Sequence, residues 1–214
     1  MVINTVFLSL RSILFLALVL LSAPTLASSA NQLLIMGDSL SAAYGVQTER
    51  AWVARLKEKL EQQGYDNWEV LNASISGETT DGGLRRLPEL LSRHDPEVVI
   101  IELGGNDGLR GFSPGVIERN LEEMITRSQE AGARVLLVGM QLPPNYGRRY
   151  TEAFADIYPD LAREHSVSLV PFFLEGIYDQ QGMMQDDGIH PTDEAQEHLL
   201  NNLWPELKPI LESD

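Results

Sequence analysis

Two stretches, Val98–Leu103 and Val135–Met140, carry apolar residues without polar alternation, and Glu102 is the one charged residue in either. A half-exposed strand alternates between polar and apolar faces. A strand that does not alternate is covered on both sides, which points to a parallel sheet sandwiched between helices. Three further candidate strands accompany them, Gln32–Met36, Glu69–Asn72 and Ser168–Val170. Between the strands, Ala51–Gln63, Leu84–Ser92, Pro114–Glu130 and Tyr150–Glu164 place apolar residues three or four apart, the spacing of one helix face. Trp52, Leu56 and Leu60 mark such a face, and Gly64 follows as a stop. Ser113-Pro114 offers a cap and a first-turn proline, and a last helix is expected over Asp193–Leu203. No linker, composition break or internal repeat divides the chain, so the reading is one α/β domain.

Sheets of this kind bind ligands at the C-terminal edge of their strands. The segments expected there are unusual. They are Asp38-Ser39, Ala73–Glu78, Gly104-Gly105-Asn106-Asp107-Gly108, Leu142–Gly147 and, before the last helix, Asp186–Pro191. Ser39 lies at a bend between the first strand and the small residues Ala42 and Ala43. A strand, turn and helix start there would expose its hydroxyl and set its N–H in the field of a helix N-terminus. A nucleophilic serine needs both. Gly-Asp-Ser serves equally as an ordinary capped turn.

Acyl transfer by serine also needs a base, a carboxylate to orient that base, and donors aimed at the oxyanion. Of the four histidines, His94 and His165 fall at helix ends, where a structural role suits them, and His198 falls inside the last helix. His190 differs, since it sits in a loop before Pro191, three residues after Asp187. That spacing lets a carboxylate accept from Nδ1 and leaves Nε2 for a serine. The same residues also read as a turn ending in a helix cap, and Asp186 competes as the orienting acid. Donors for an oxyanion are the Ser39 N–H, the Gly77 N–H and the Asn106 side-chain amide, although Asn106 also fits a plain loop. The glycines around it match neither phosphate-binding spacing.

The first thirty residues carry one charge, Arg11, and an unbroken apolar run from Ile13 to Leu21. Small residues follow at Thr25-Leu26-Ala27 and Ser28-Ser29-Ala30. This is the pattern of a secretory leader cut after Ala27, or after Ala30. A retained anchor is the rival reading, and Pro24 and the short core count against it. With no cysteine, the chain has no disulfide, thiolate nucleophile or thiolate metal site. An exported chain without cysteine suggests a bacterial periplasm or medium. The remaining roughly 185 residues are enough for one core. The net charge of −15 opposes nucleic acid and anionic lipid.

Gly37-Asp38-Ser39-Leu40-Ser41, Gly77, Gly104-Gly105-Asn106-Asp107 and Asp187-Gly188-Ile189-His190-Pro191 resemble the successive blocks of the GDSL, or SGNH, hydrolase family. Glu102–Gly111, Leu142–Tyr150 and Met184–Pro191 are similar to the branch that contains periplasmic acyl-CoA thioesterases and lysophospholipases. The resemblance implies a three-layer α/β/α sandwich with a mainly parallel five-stranded, flavodoxin-like sheet. It implies Ser39 as nucleophile, His190 as base, Asp187 as its orienter, and Ser39, Gly77 and Asn106 as the oxyanion hole. It implies small-molecule or lipid acyl esters and thioesters as substrates, no metal or cofactor, no stable membrane anchor after cleavage, and a monomer. Glu78, Leu109, Phe112, Leu142 and Pro143 are the candidate substrate contacts. The glycines of Glu78–Gly83 suit a segment that moves on binding, or a static turn. Within the class, the alternative is a carbohydrate acetyl esterase. Outside it, the alternatives are a non-catalytic binding module and an anchored structural protein.

Overall fold

The computed structural model describes residues 30–213. The leader expected over residues 1–27 lies outside them, as does all but the last residue of the version ending at Ala30. Five strands, β1 (Asn31–Gly37), β2 (Trp68–Asn72), β3 (Val98–Glu102), β4 (Arg134–Val138) and β5 (Ser168–Val170), form one parallel sheet in the order β2-β1-β3-β4-β5. Among the described residues, seven α-helices connect or follow them: α1 (Trp52–Gln62), α2 (Thr80–His94), α3 (Gly105–Leu109), α4 (Pro114–Glu130), α5 (Arg148–Ala155), α6 (Ile157–His165) and α7 (Gln196–Leu211).

The non-alternating runs divide residue by residue between two cores. Leu33, Ile35, Val98, Ile100, Leu136 and Val138 pack under α1 and α7. Leu34, Met36, Val99, Ile101, Val135 and Leu137 pack under α2, α4, α5 and α6. Each run is apolar throughout because both of its faces are buried. The strand order changes direction at β1, which has β2 on one side and β3 on the other. That reversal opens a crevice at the C-terminal ends of β1 and β3.

Several local expectations need correction. No helix follows Ser39. The chain makes one helical-type hydrogen bond, Ala42 N–H to the Asp38 carbonyl at 2.9 Å, and then turns away. Ala43 at φ 60° and Gly45 at φ 72° are left-handed, and a helix cannot continue through them. α2 starts at Thr80, so Gly82 and Gly83 lie in its first turn, capped by the Thr79 side chain. A Cβ on Gly83 would stand 2.4 Å from Leu103 Cδ1, so this glycine serves close packing rather than movement. Ser113 precedes α4 as expected, but its side chain makes no capping bond. The helix expected over Tyr150–Glu164 is two, separated at Asp156. α7 runs past its expected end, through Pro205 and Pro209. Those prolines remove two backbone donors, yet Leu207, Ile210 and Leu211 beyond Pro205 bury against the sheet, which offsets the loss.

Candidate active site

The crevice between β1 and β3 gathers residues from four loops. Gly37 closes β1 and Asp38 is buried at its end. The Asp38 carboxylate accepts from the Leu40 N–H at 3.0 Å, folding the turn that carries Ser39. The Ser39 hydroxyl lies 2.9 Å from His190 Nε2, and His190 Nδ1 lies 2.6 Å from Asp187 Oδ2. With Asp187 ionised, Nδ1 carries the proton and Nε2 is free to accept from Ser39. Asp187 Oδ1 accepts from the Ile189 and His190 N–H groups at 2.9 and 3.0 Å. The carboxylate therefore holds both the imidazole and the loop that bears it.

That loop is tied to the Ser39 turn. Gln185 donates from its side chain to the Pro191 carbonyl at 3.0 Å and to the Tyr44 carbonyl at 3.1 Å. The Tyr44 ring covers His190, with centroids 4.3 Å apart. Burial alone would raise the Asp187 carboxyl. Hydrogen bonds from the His190 ring and the two N–H groups, with the His190 charge, outweigh it and bring it to about 2.

Gly77 follows β2 in a left-handed conformation at φ 80°, where a Cβ would be strained. Arg110 donates to its carbonyl at 3.0 Å. Among the described residues, no acceptor takes the Ser39 or Gly77 N–H. Asn106 lies in the first turn of α3, a short helix that the sequence pattern did not predict. Its amide donates to Asp38 Oδ2 at 3.0 Å, which leaves one N–H unspent. Asp107 anchors α3 to α2 by accepting from the Thr80 N–H and hydroxyl at 2.9 and 2.6 Å.

Asp38 thus does more than shape a turn, since it also holds Asn106. Burial pushes its carboxyl up to about 6, against the opposing effects of Leu40, Glu102, His190 and Asn106. Glu102, at the end of β3, is fully buried beside it and accepts from the Ser41 hydroxyl at 2.6 Å and the Asp38 N–H at 3.2 Å. Burial, and then the charge of Asp38, raises the Glu102 carboxyl well above the usual range. Glu102, Ser41, Tyr44, Gln185 and Arg110 were not singled out from sequence as site residues. Only Glu102 carried a signal, as the lone charge in a buried strand.

The candidate substrate contacts divide. Glu78 faces Arg86, 2.8 Å away, with its side chain 12% exposed, so it braces α2 instead of facing an open site. Leu142 is buried and packs on Gly108. Leu109 is half-buried, and Phe112 and Pro143 are exposed. Tyr146 and Tyr150 bind the Leu109 and Phe112 carbonyls, drawing the segment after β4 against α3. A depression of about 540 Å³ on this flank includes Pro114, Tyr146, Arg149 and Tyr150 but no triad residue. Among the described residues, the one group of three His or carboxylate side chains close enough together to hold a metal ion is Glu122, Glu164 and His165 on α4 and α6. His165 ends α6 ahead of β5, at the sheet edge opposite the triad.

Residues 35–198 match the model of the GDSL-like Lipase/Acylhydrolase family. The chain is 55% identical over 196 residues to Esterase TesA of Pseudomonas aeruginosa, covering 92% of this chain and 96% of that protein. It is 48% identical over 200 residues to Thioesterase 1/protease 1/lysophospholipase L1 of Escherichia coli, covering 94% and 93%. Among solved structures it resembles the psychrotrophic esterase EstA from Pseudoalteromonas sp., inhibited by monoethylphosphonate. There the TM-score is 0.81 at 40% identity, covering 86% of this chain and 100% of that one.

Proposed function

Because this chain belongs to the GDSL-like lipase/acylhydrolase family and is a hydrolase of esters and thioesters, we propose that Ser39, His190 and Asp187 are its catalytic triad. The observation that carries this reading is the unbroken series Asp187 Oδ2 to His190 Nδ1 at 2.6 Å and His190 Nε2 to Ser39 Oγ at 2.9 Å. His190 takes the hydroxyl proton as Ser39 Oγ attacks the acyl carbonyl. The Ser39 and Gly77 N–H groups and the spare N–H of Asn106 receive the oxyanion. His190 then gives its proton to the departing alkoxide or thiolate, leaving an acyl-serine. Water attacks that acyl group, with His190 again taking the proton, and the acid and the free serine are released. Every proton moves through one imidazole.

The substrates we assign are acyl esters and acyl thioesters, with lysophospholipids among them, in keeping with the names of the two relatives. We also assign export by a cleaved leader. No helix among the described residues is long and apolar enough to cross a membrane. N-terminal sequencing of the exported product distinguishes a start after Ala27, a start after Ala30 and a retained leader. A fluorophosphonate probe tests the nucleophile. It labels the wild type and not Ser39→Ala, and a wild type that stays unlabelled overturns the reading. Initial rates on short- to long-chain p-nitrophenyl esters, acyl-CoA and lysophospholipid rank the substrates. A preference for acetylated sugars over all of these overturns the assignment to acyl chains.

A further inference from the structure

The mechanism above leaves Glu102 without a task, although it is fully buried beneath the Ser39 turn. Its Oε2 accepts from the Asp38 N–H at 3.2 Å, which sets two buried carboxyls beside each other. Among the described residues, no Lys or Arg forms an ion pair with either group. His190 acts on Asp38, and the Tyr158 hydroxyl feels both carboxyls. Burial of two neighbouring carboxyls favours keeping one of them protonated.

The hydrogen bonds leave one oxygen open for such a proton. Asp38 accepts N–H donors at both oxygens, from Leu40 at Oδ1 and from Asn106 at Oδ2. Glu102 Oε2 accepts two donors, while Glu102 Oε1 is buried without a donor. Oε1 is thus the free position for the proton. Gly37 makes room for this arrangement, since a Cβ there would stand 2.6 Å from Glu102 Oε2.

We propose that Glu102 is a positioning residue for the oxyanion hole: as a neutral acid it donates through Oε1 to Asp38. Asp38 then remains a charged acceptor that fixes the Asn106 amide, with the second N–H of that amide free for substrate oxygen. The inference rests on the oxyanion role assigned to Asn106 above. It also explains the polar group in an otherwise apolar strand, because a neutral, hydrogen-bonded acid is far cheaper to bury than a lone charge.

The test compares Glu102→Gln, which keeps the shape and the donor, with Glu102→Leu, which removes both. Each is made in the wild type and beside Asn106→Ala, and assayed on p-nitrophenyl butyrate with fluorophosphonate titration of competent sites. Glu102→Gln is expected to stay within about threefold of the wild-type kcat, whereas Glu102→Leu loses about 10- to 100-fold at little-changed KM. Beside Asn106→Ala, the Glu102→Leu loss should shrink below about threefold, because the group it positions is gone. A loss that persists there, or a Glu102→Gln loss matching that of Asn106→Ala, overturns the proposal. If Glu102→Leu does not fold, infrared difference spectroscopy decides. A protonated carboxyl band at neutral pH that vanishes in Glu102→Gln supports the proposal, and its absence overturns it. If Asn106→Ala costs less than about tenfold, the oxyanion reading itself fails and the Glu102 proposal falls with it. Additive losses sink only Glu102.

Discussion

Replacing Asp187 with Asn preserves the outline of the triad and reverses one hydrogen bond. The new side-chain carbonyl can still accept from the Ile189 and His190 N–H groups, now bonded at 2.9 and 3.0 Å. Those bonds hold the NH2 where Oδ2 now stands, 2.6 Å from His190 Nδ1. An amide N–H facing Nδ1 makes that nitrogen the acceptor and moves the ring proton to Nε2, which faces Ser39. The imidazole then has no lone pair for the Ser39 proton. Turning the amide over would forfeit both backbone bonds, a cost of about 2 kcal/mol at roughly 1 kcal/mol each, and would set an NH2 against two N–H donors. The charge that stabilises the imidazolium is also lost. We expect kcat to fall by about 10³- to 10⁴-fold, or roughly 4 to 5.5 kcal/mol in barrier. KM should change little, because Asp187 bonds the imidazole and its own loop. The assay is p-nitrophenyl butyrate hydrolysis with active-site titration and a thermal melt, so that loss of chemistry is separated from loss of fold. A kcat loss below about tenfold, or one matched by a loss of folded protein, would falsify the orienting role of Asp187.

Three further outcomes follow from packing, burial and hydrogen bonding. Gly139 lies just past β4, where a Cβ would meet the Pro171 carbonyl oxygen at 2.3 Å and that of Val170 at 2.9 Å. Both are backbone atoms that cannot step aside, and Gly139 also bonds Val170 and Phe173. Gly139→Ala should cost about 3 kcal/mol in chemical denaturation, and a cost below about 1 kcal/mol would show that the strand ends yield. Asp38 is raised by burial from 3.8 to about 6, so its folded pKa exceeds its unfolded one. Its contribution to stability is present below about pH 4 and is lost as pH rises through about 6. Asp38→Asn removes that loss, so the variant-minus-wild-type Tm should grow more positive from pH 4 to pH 7. A difference that is flat or falling over this range counts against the raised carboxyl. In the same variant kcat should drop, because a neutral amide is a poorer acceptor for Asn106.

Much of the fold was legible in the chain because its determinants are local. Val98–Leu103 and Val135–Met140 lack alternation, and the structure divides their residues between two cores. Of the five segments expected at the C-terminal sheet edge, those bearing Asp38-Ser39, Asn106 and the Asp187–His190 pair are joined by hydrogen bonds, and Ser39, Asp187 and His190 form one series. The helix expected after Ser39 does not form, because left-handed Ala43 and Gly45 break it. α7 passes through two prolines because the sheet rewards the apolar residues beyond the first of them. Glu78, read as a substrate contact, is engaged by Arg86.

By itself, the sequence determined the two-sided parallel sheet and the kinds of chemical group at its edge, because strand cover and turn chemistry are written in neighbouring residues. Only the tertiary structure decided which groups hydrogen-bond to one another. Ser41 and Glu102 are 61 residues apart in the chain, Asp38 and Glu102 64, Asn106 and Asp38 68, and His190 and Ser39 151. A hydrogen bond depends on tenths of an ångström, and the ionisation of a carboxyl depends on its burial. Both quantities come into existence only when distant segments pack together.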